Sequence, residues 1–257
     1  MEETRIEKQY QTEIPQSRVE RIEFRIHVGR CKRCGKPLRG RHPRQTSDAV
    51  GGAASQLGAR AVALATQLNK GMGLSHGKTA AVLHPTDESL SVGTPVLETA
   101  FGLRVSRGGL AQAFQRVARK SQPTYAKLVE EIRGSPRVTP DETGWKVGGR
   151  RWWMWAFSSD KLTVYSIQPG RGYEQARVVL GEDFDGFLVR DGWAVYRGAL
   201  LKVWGGNRTA KGAHTQSVLV SILQTCRQQL RPATAFLQQL FLLPKPKALD
   251  LSPTTPR

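Results

Sequence analysis

Hydrophobic positions between residues 137 and 197 recur with the short period of strands. Residues 151–157 place Trp152, Trp153, Met154, Trp155, Ala156 and Phe157 behind Arg151, an aromatic and apolar composition that favours a strand. Residues 162–167 alternate, which sets Leu162, Val164 and Ser166 on one face and Thr163, Tyr165 and Ile167 on the other. Two more runs, 138–145 and 187–193, each read as a short strand ending near an aspartate, with a glycine and a tryptophan soon after. Gly148-Gly149 is a hairpin signal, and residues 158–161 form a second, polar turn. Residues 173–180 carry Ala176, Val179 and Leu180 at helical spacing. The predicted order is strand, hairpin, strand, hairpin, strand, helix, strand.

Upstream the period lengthens. Residues 47–72 are Ala-rich with Leu57, Val62, Leu64 and Leu68, predicting a helix of several turns. Residues 75–83 predict a short helix capped by Ser75, and residues 106–119 another, capped by Ser106, with Leu110, Phe114 and Val117 as its buried stripe. Residues 125–132 continue as helix until Gly134-Ser135-Pro136 ends it. Two Ser-led helices suggest a helix-turn-helix, but the polar, Pro-containing stretch 84–99 reads as an insertion between them. At the N-terminal side, the second half of residues 18–28 alternates as a strand does and leads into Cys31-Lys32-Arg33-Cys34-Gly35. Residues 198–213 are Gly-rich, basic and aperiodic, and 249–257 are expected to be disordered.

Charge narrows the function classes. The chain of 257 residues carries a net charge of +18, which favours a polyanionic partner, most simply DNA. The charge is unevenly placed. Residues 1–140 hold 23 basic and 12 acidic side chains, 141–200 hold 8 of each, and 201–257 hold 8 basic and 1 acidic. A neutral central segment therefore lies between basic flanks. Basic structural proteins without catalysis show similar totals. Three cysteines, two of them in one Cys-x-x-Cys, do not make a disulfide framework. Neither a secretory signal nor an apolar run of the ~20 residues that span a bilayer is present, so a cytoplasmic protein without a membrane partner is expected.

The candidate chemistry follows from these patterns. Asp141 and Asp191, on neighbouring strands, would form a carboxylate cradle for divalent metal. Three antiparallel strands and a crossover to a fourth, with acids on the first and fourth, is the layout of an α/β RNase H-like core. Cys31 and Cys34 on a Gly-ended bend have the form of a zinc knuckle, which supplies two of the four ligands a tetrahedral Zn²⁺ takes; His27 and His42 are the nearby substitutes for the others. Residues 30–44 hold seven Lys and Arg and no acid, which nominates Arg30, Lys32, Arg33, Arg39 and Arg41 for phosphate contact. Arg107, Arg116, Arg119 and Lys120 are the corresponding candidates on the helices. A solvated basic loop and a generic helical subdomain are the bland alternatives.

Several runs carry a family likeness. Asp141-Glu142-Thr143-Gly144-Trp145, Gly148-Gly149-Arg150-Arg151, Pro169-Gly170-Arg171-Gly172 and Arg190-Asp191-Gly192-Trp193-Ala194-Val195-Tyr196 resemble, in that order, the insertion sequence 66 family of DDE transposases. So does 31–43, read as Cys-x-x-Cys-Gly…Gly-Arg-His-Pro, and the likeness covers most of residues 10–197. The resemblance implies a transposase that binds its element's terminal inverted repeats and target DNA, uses Mg²⁺ held by Asp141, Asp191 and a later Glu, and works with a second copy of itself as a candidate partner. It divides the chain into a basic N-terminal segment with half a zinc ribbon (1–46), a helical DNA-binding region (47–134), a partial catalytic core (135–197) and a degenerate C-terminal region (198–257). The third acid has no counterpart, because the only acid beyond Asp191 is Asp250. Residues 214–219 echo the family's next helix loosely, and residues from 231 show no family likeness. A truncated or frame-shifted copy, or a remnant that binds DNA without cutting it, is the alternative expectation.

Overall fold

The computed structural model describes residues 20–48, 57–83, 105–189 and 206–251. Its centre is a four-stranded mixed sheet in the order β5-β4-β3-β6. β3 (Arg137–Val147) and β4 (Arg150–Ser158) pair antiparallel around Gly148 and Gly149. Both glycines have positive φ, 56° and 80°, as a two-residue turn matched to strand twist requires. β5 (Thr163–Gln168) pairs antiparallel with β4. The chain then crosses over through α4 (Tyr173–Leu180), and β6 (Phe187–Leu188) returns parallel to β3. This mixed α/β arrangement is compatible with a nuclease-like core.

The alternation in β5 sorts two cores as expected. Leu162 and Val164 join Val138, Trp155 and Phe157 in the larger cluster, while Tyr165 and Ile167 join Trp145, Val147 and Met154 in the smaller. α3 (Arg107–Arg133) and α4 supply the larger cluster, and α5 (Ala210–Gln228) covers the smaller with Ala213 and Val220.

α5 also closes the sheet's outer edge. The outward N–H groups of Thr163, Tyr165 and Ile167 donate to the hydroxyls of Thr225 (3.3 Å), Ser221 (2.8 Å) and Ser217 (3.1 Å). The hydroxyls recur every four residues of helix, one turn apart, while the strand groups recur every two, so the spacings match at roughly 6 Å. The Tyr125 hydroxyl of α3 donates to the Tyr165 carbonyl at 2.8 Å. An edge that would otherwise recruit another strand is thereby hydrogen-bonded to helices.

Several elements differ from the sequence reading. The expected helix over 47–72 is α1 (Ala59–Thr66) continued by a π turn (Gln67–Gly71), and residues 49–56 lie outside the described segments. α2 (His76–Leu83) begins as predicted, with Ser75 Oγ accepting the Lys78 N–H. The helices expected at 106–119 and 125–132 are one 27-residue helix, α3, capped by Ser106 and running through Pro123. Residues 84–99 lie outside the described segments, so the helix-turn-helix and its insertion cannot be traced. Residues 20–27 have no strand; a short hairpin, β1 (Val28–Arg30) with β2 (Pro37–Arg39), takes their place.

The C-terminal text, unremarkable in sequence, is packed. α6 (Ala233–Leu242) buries Phe236, Leu237, Leu240 and Phe241. Leu249 donates its N–H to Thr124 Oγ1, Leu251 is buried and accepts from Gln229, and Asp250 pairs with Lys127. The disorder expected from residue 249 therefore does not begin before Leu251; residues 252–257 are outside the described segments. Two basic side chains of α3 cap other helices. Arg133 donates to the Val178 and Val179 carbonyls at the end of α4, and Lys120 to Phe241 at the end of α6, where the helix dipole favours a cation. Among the described residues no helix is long and apolar enough to cross a membrane.

Candidate functional site

Asp141 is not at a strand tip. β3 continues six residues beyond it, because Glu142 through Val147 keep pairing with β4. Its half-buried carboxylate accepts the Glu142 N–H at 2.9 Å, and among the described residues no basic side chain forms an ion pair with it. Asp141 and Glu142 point to opposite faces, as neighbours in a strand must. Glu142 lies 3.7 Å from Arg171 on the face of Trp153 and Trp155, so it is engaged away from Asp141. Asp141 shares its face with Tyr165, whose phenol is pushed up by burial and then by the Asp141 charge. Asp191 and Arg190 lie outside the described residues, as does Trp193. The strand that leads to them is set by the Val189 N–H donating to Val138 at 3.0 Å, with Leu188 level with Val138.

The knuckle-like bend is present in the β1–β2 hairpin. The Cys31 N–H donates to Lys36 and the Gly35 N–H to Cys31, with Gly35 at φ 67°. The Cys31 thiol is held below its ordinary value by the Cys34 N–H, then the Arg33 N–H and the Cys34 side chain. Thiolate-favouring N–H donors suit a metal ligand, and two soft sulfurs suit Zn²⁺. Among the described residues no group of three or more His, Cys, Asp or Glu forms, so neither His27 nor His42 completes the site. His42 Nδ1 instead accepts the Arg44 N–H at 3.1 Å.

The basic candidates divide by what already engages them. Arg30, Lys32, Arg33 and Arg39 are exposed on the hairpin, and Arg107 and Arg119 are exposed on α3. Arg41 Nη1 donates to both Asp48 carboxylate oxygens at 2.8 Å, and Nη2 to the Gln45 carbonyl at 3.1 Å. Arg116 is half-buried, with an Nε that meets no acceptor. Lys120 is pushed down to about 8 by burial, helped by Arg41, and its ammonium lies on the Phe241 carbonyl and ring.

The family model described as "Transposase IS66 family" matches residues 94–247. The chain belongs to the IS66 transposase family. The match takes in α3, the whole sheet, α5 and α6, so the likeness extends past residue 231, where the sequence alone showed none. No curated protein and no solved structure matches the chain.

Two features went unnoticed in the sequence. Arg151, two residues before Trp153 on the same face of β4, and Arg171 lie 4.7 and 4.8 Å from the Trp153 ring beside Glu142; no spacing rule links Arg171 to that ring. Lys70 is 4% exposed, its Nζ 2.6 Å from Gln216 Oε1, and burial lowers its pKa to about 7. The only hint in sequence was a lone lysine following an apolar helix. His214 is exposed and shares a 2.8 Å bond with Gln122.

Proposed function

We propose that the chain binds insertion-sequence DNA and cleaves and rejoins it at a site built on Asp141 and Asp191. The supporting observation is the register of β6 on β3 inside the family-matched span. Asp141 lies three residues past Val138, and Asp191 three past Leu188, its parallel partner. A strand that kept that register would bring the two carboxylates level on one face, about 4.8 Å apart in backbone. Such a core would be of RNase H type. Asp141 fits a hard-cation ligand: it is an oxygen donor, partly exposed, on the face away from the Arg171–Glu142 pair. Mg²⁺ held there would lower the pKa of an attacking water or 3′-hydroxyl and neutralise the leaving oxygen. The chain's own part is to orient the strand: the exposed arginines of the hairpin and α3 hold phosphates, and the neutral core admits the scissile segment. Terminal inverted repeats and target DNA would be the partners, with a second copy of the chain bridging the two ends.

A second reading, binding without cleavage, is favoured by one observation. Asp250, the one carboxylate between Asp191 and Arg257, is already paired with Lys127 at 2.8 Å. An end-cleavage assay with Mg²⁺ and DNA bearing the element's terminal repeats separates the two. Nicked product that vanishes in Asp141→Ala supports the first. Retained DNA in a gel shift with no product from the unsubstituted chain supports the second and refutes the first.

A further inference from the structure

A cavity of about 570 Å³ opens between the π turn after α1, the middle of α5 and the start of α6. The π turn shapes its wall. Gly71 has no side chain, and the Gln67 amide folds into that space; a Cβ there would come within 2.8 Å of Gln67 Nε2. π turns in helices are frequently sites of function. Gln67 Oε1 and, from α5, Gln224 Oε1 are buried without a hydrogen-bond donor. Arg227 and Arg231 bring positive charge, and among the described residues no acid lines the cavity. Val220 and Leu223 supply an apolar wall.

Each of these demands something different of an occupant. The cations ask for an anion. The Gln67 and Gln224 side chains line the cavity with their oxygens turned in from it, and on turning outward each amide would take an N–H donor and present its own N–H beside that oxygen. The apolar wall asks for a flat or greasy body. A simple anion meets the first demand alone, and a fatty acid leaves the amides unpaired. We propose that the cavity binds a nucleotide, its phosphate on Arg227 and Arg231 and an amino-bearing purine against Gln67 and Gln224. A Gln amide matches the donor–acceptor pair on the adenine edge, and the volume lies within the range of about 300–1,000 Å³ usual for ligand pockets. The nucleotide could be free or an unstacked residue of a DNA strand; the chemistry is shared. The assignment stands apart from the Asp141 site.

Titrating the intact chain with dAMP and, separately, inorganic phosphate tests this. The expected result is saturable dAMP binding at least roughly tenfold tighter than phosphate. Gln224→Leu should weaken dAMP by about tenfold and leave phosphate alone, while Arg227→Ala should weaken both. Arg227 is exposed and Gln224 half-buried, so both variants should fold, and a denaturant midpoint checks each. Asp141→Ala should bind dAMP normally, which keeps this site's test separate from that of the carboxylates. Either outcome of adding a single-stranded oligonucleotide supports the pocket: competition with dAMP assigns a strand nucleotide, and its absence a free one. Phosphate binding as tight as dAMP, or dAMP binding unmoved in both Gln224→Leu and Arg227→Ala, overturns the proposal.

Discussion

Lys70 shows how one residue can set the pH response of stability. Its folded-state pKa is about 7, against an ordinary value of 10.5, because burial disfavours the ammonium. Between those values the unfolded chain carries a proton that the folded chain lacks, so stability rises with pH from about 7 to 10.5 and is flat below. The ceiling is about 5 kcal/mol. Lys120, pushed down to about 8, adds a contribution of the same sign. Lys70→Met should therefore flatten most of the rise and stabilise the chain at pH 7. Urea midpoints of the two proteins at pH 7, 8.5 and 10 check this; parallel curves would contradict it. At the carboxylate site the same scale separates Asp141 from Glu142. Replacing Glu142 with Gln breaks only a contact with Arg171 and should leave metal binding unchanged, whereas Asp141→Asn should remove it.

At the scale of elements, the hydroxyl ladder of α5 carries a sharp expectation. Ser221→Ala would leave the Tyr165 N–H buried and unpaired, and Tyr125→Phe would do the same to its carbonyl, each costing about 1–3 kcal/mol. Chemical denaturation reads both, and a loss below about 0.5 kcal/mol in each would mean the edge is otherwise satisfied. This ladder also marks what sequence could and could not tell. The strands and α4 were legible because each buries a regular face: Tyr173–Leu180 falls where Ala176, Val179 and Leu180 predict it. α5 was not, since its buried face holds Ser217, Ser221 and Thr225, polar residues whose partners are strand amides some sixty residues earlier. The helical stretches 106–119 and 125–132 join into one α3 because the packed face of Phe114, Val117, Tyr125 and Leu128 continues across Gln122 and Pro123. The strand expected to end near Asp141 runs on to Val147, because Gly144 stays paired with Trp153.

For the whole molecule, the net charge of +18 and its absence from residues 141–200 give a binding expectation. Affinity for duplex DNA should fall steeply with salt, with a log–log slope of about −0.9 per phosphate contacted. Arg33→Ala and Arg39→Ala, on the exposed hairpin, should each reduce that slope by about 1, whereas Lys120→Met, whose ammonium already lies on α6, should leave it unchanged. Equal effects from all three would place the nucleic acid elsewhere. The carboxylate pair is the claim on which cleavage depends, and Mn²⁺ binding followed by electron paramagnetic resonance tests it most directly. The pair predicts a bound-ion population in the intact chain that is lost in Asp141→Ala, lost equally in Asp191→Ala, and reduced no further in the double variant. Mn²⁺ binding that survives Asp191→Ala, or that the two substitutions reduce independently, would contradict it.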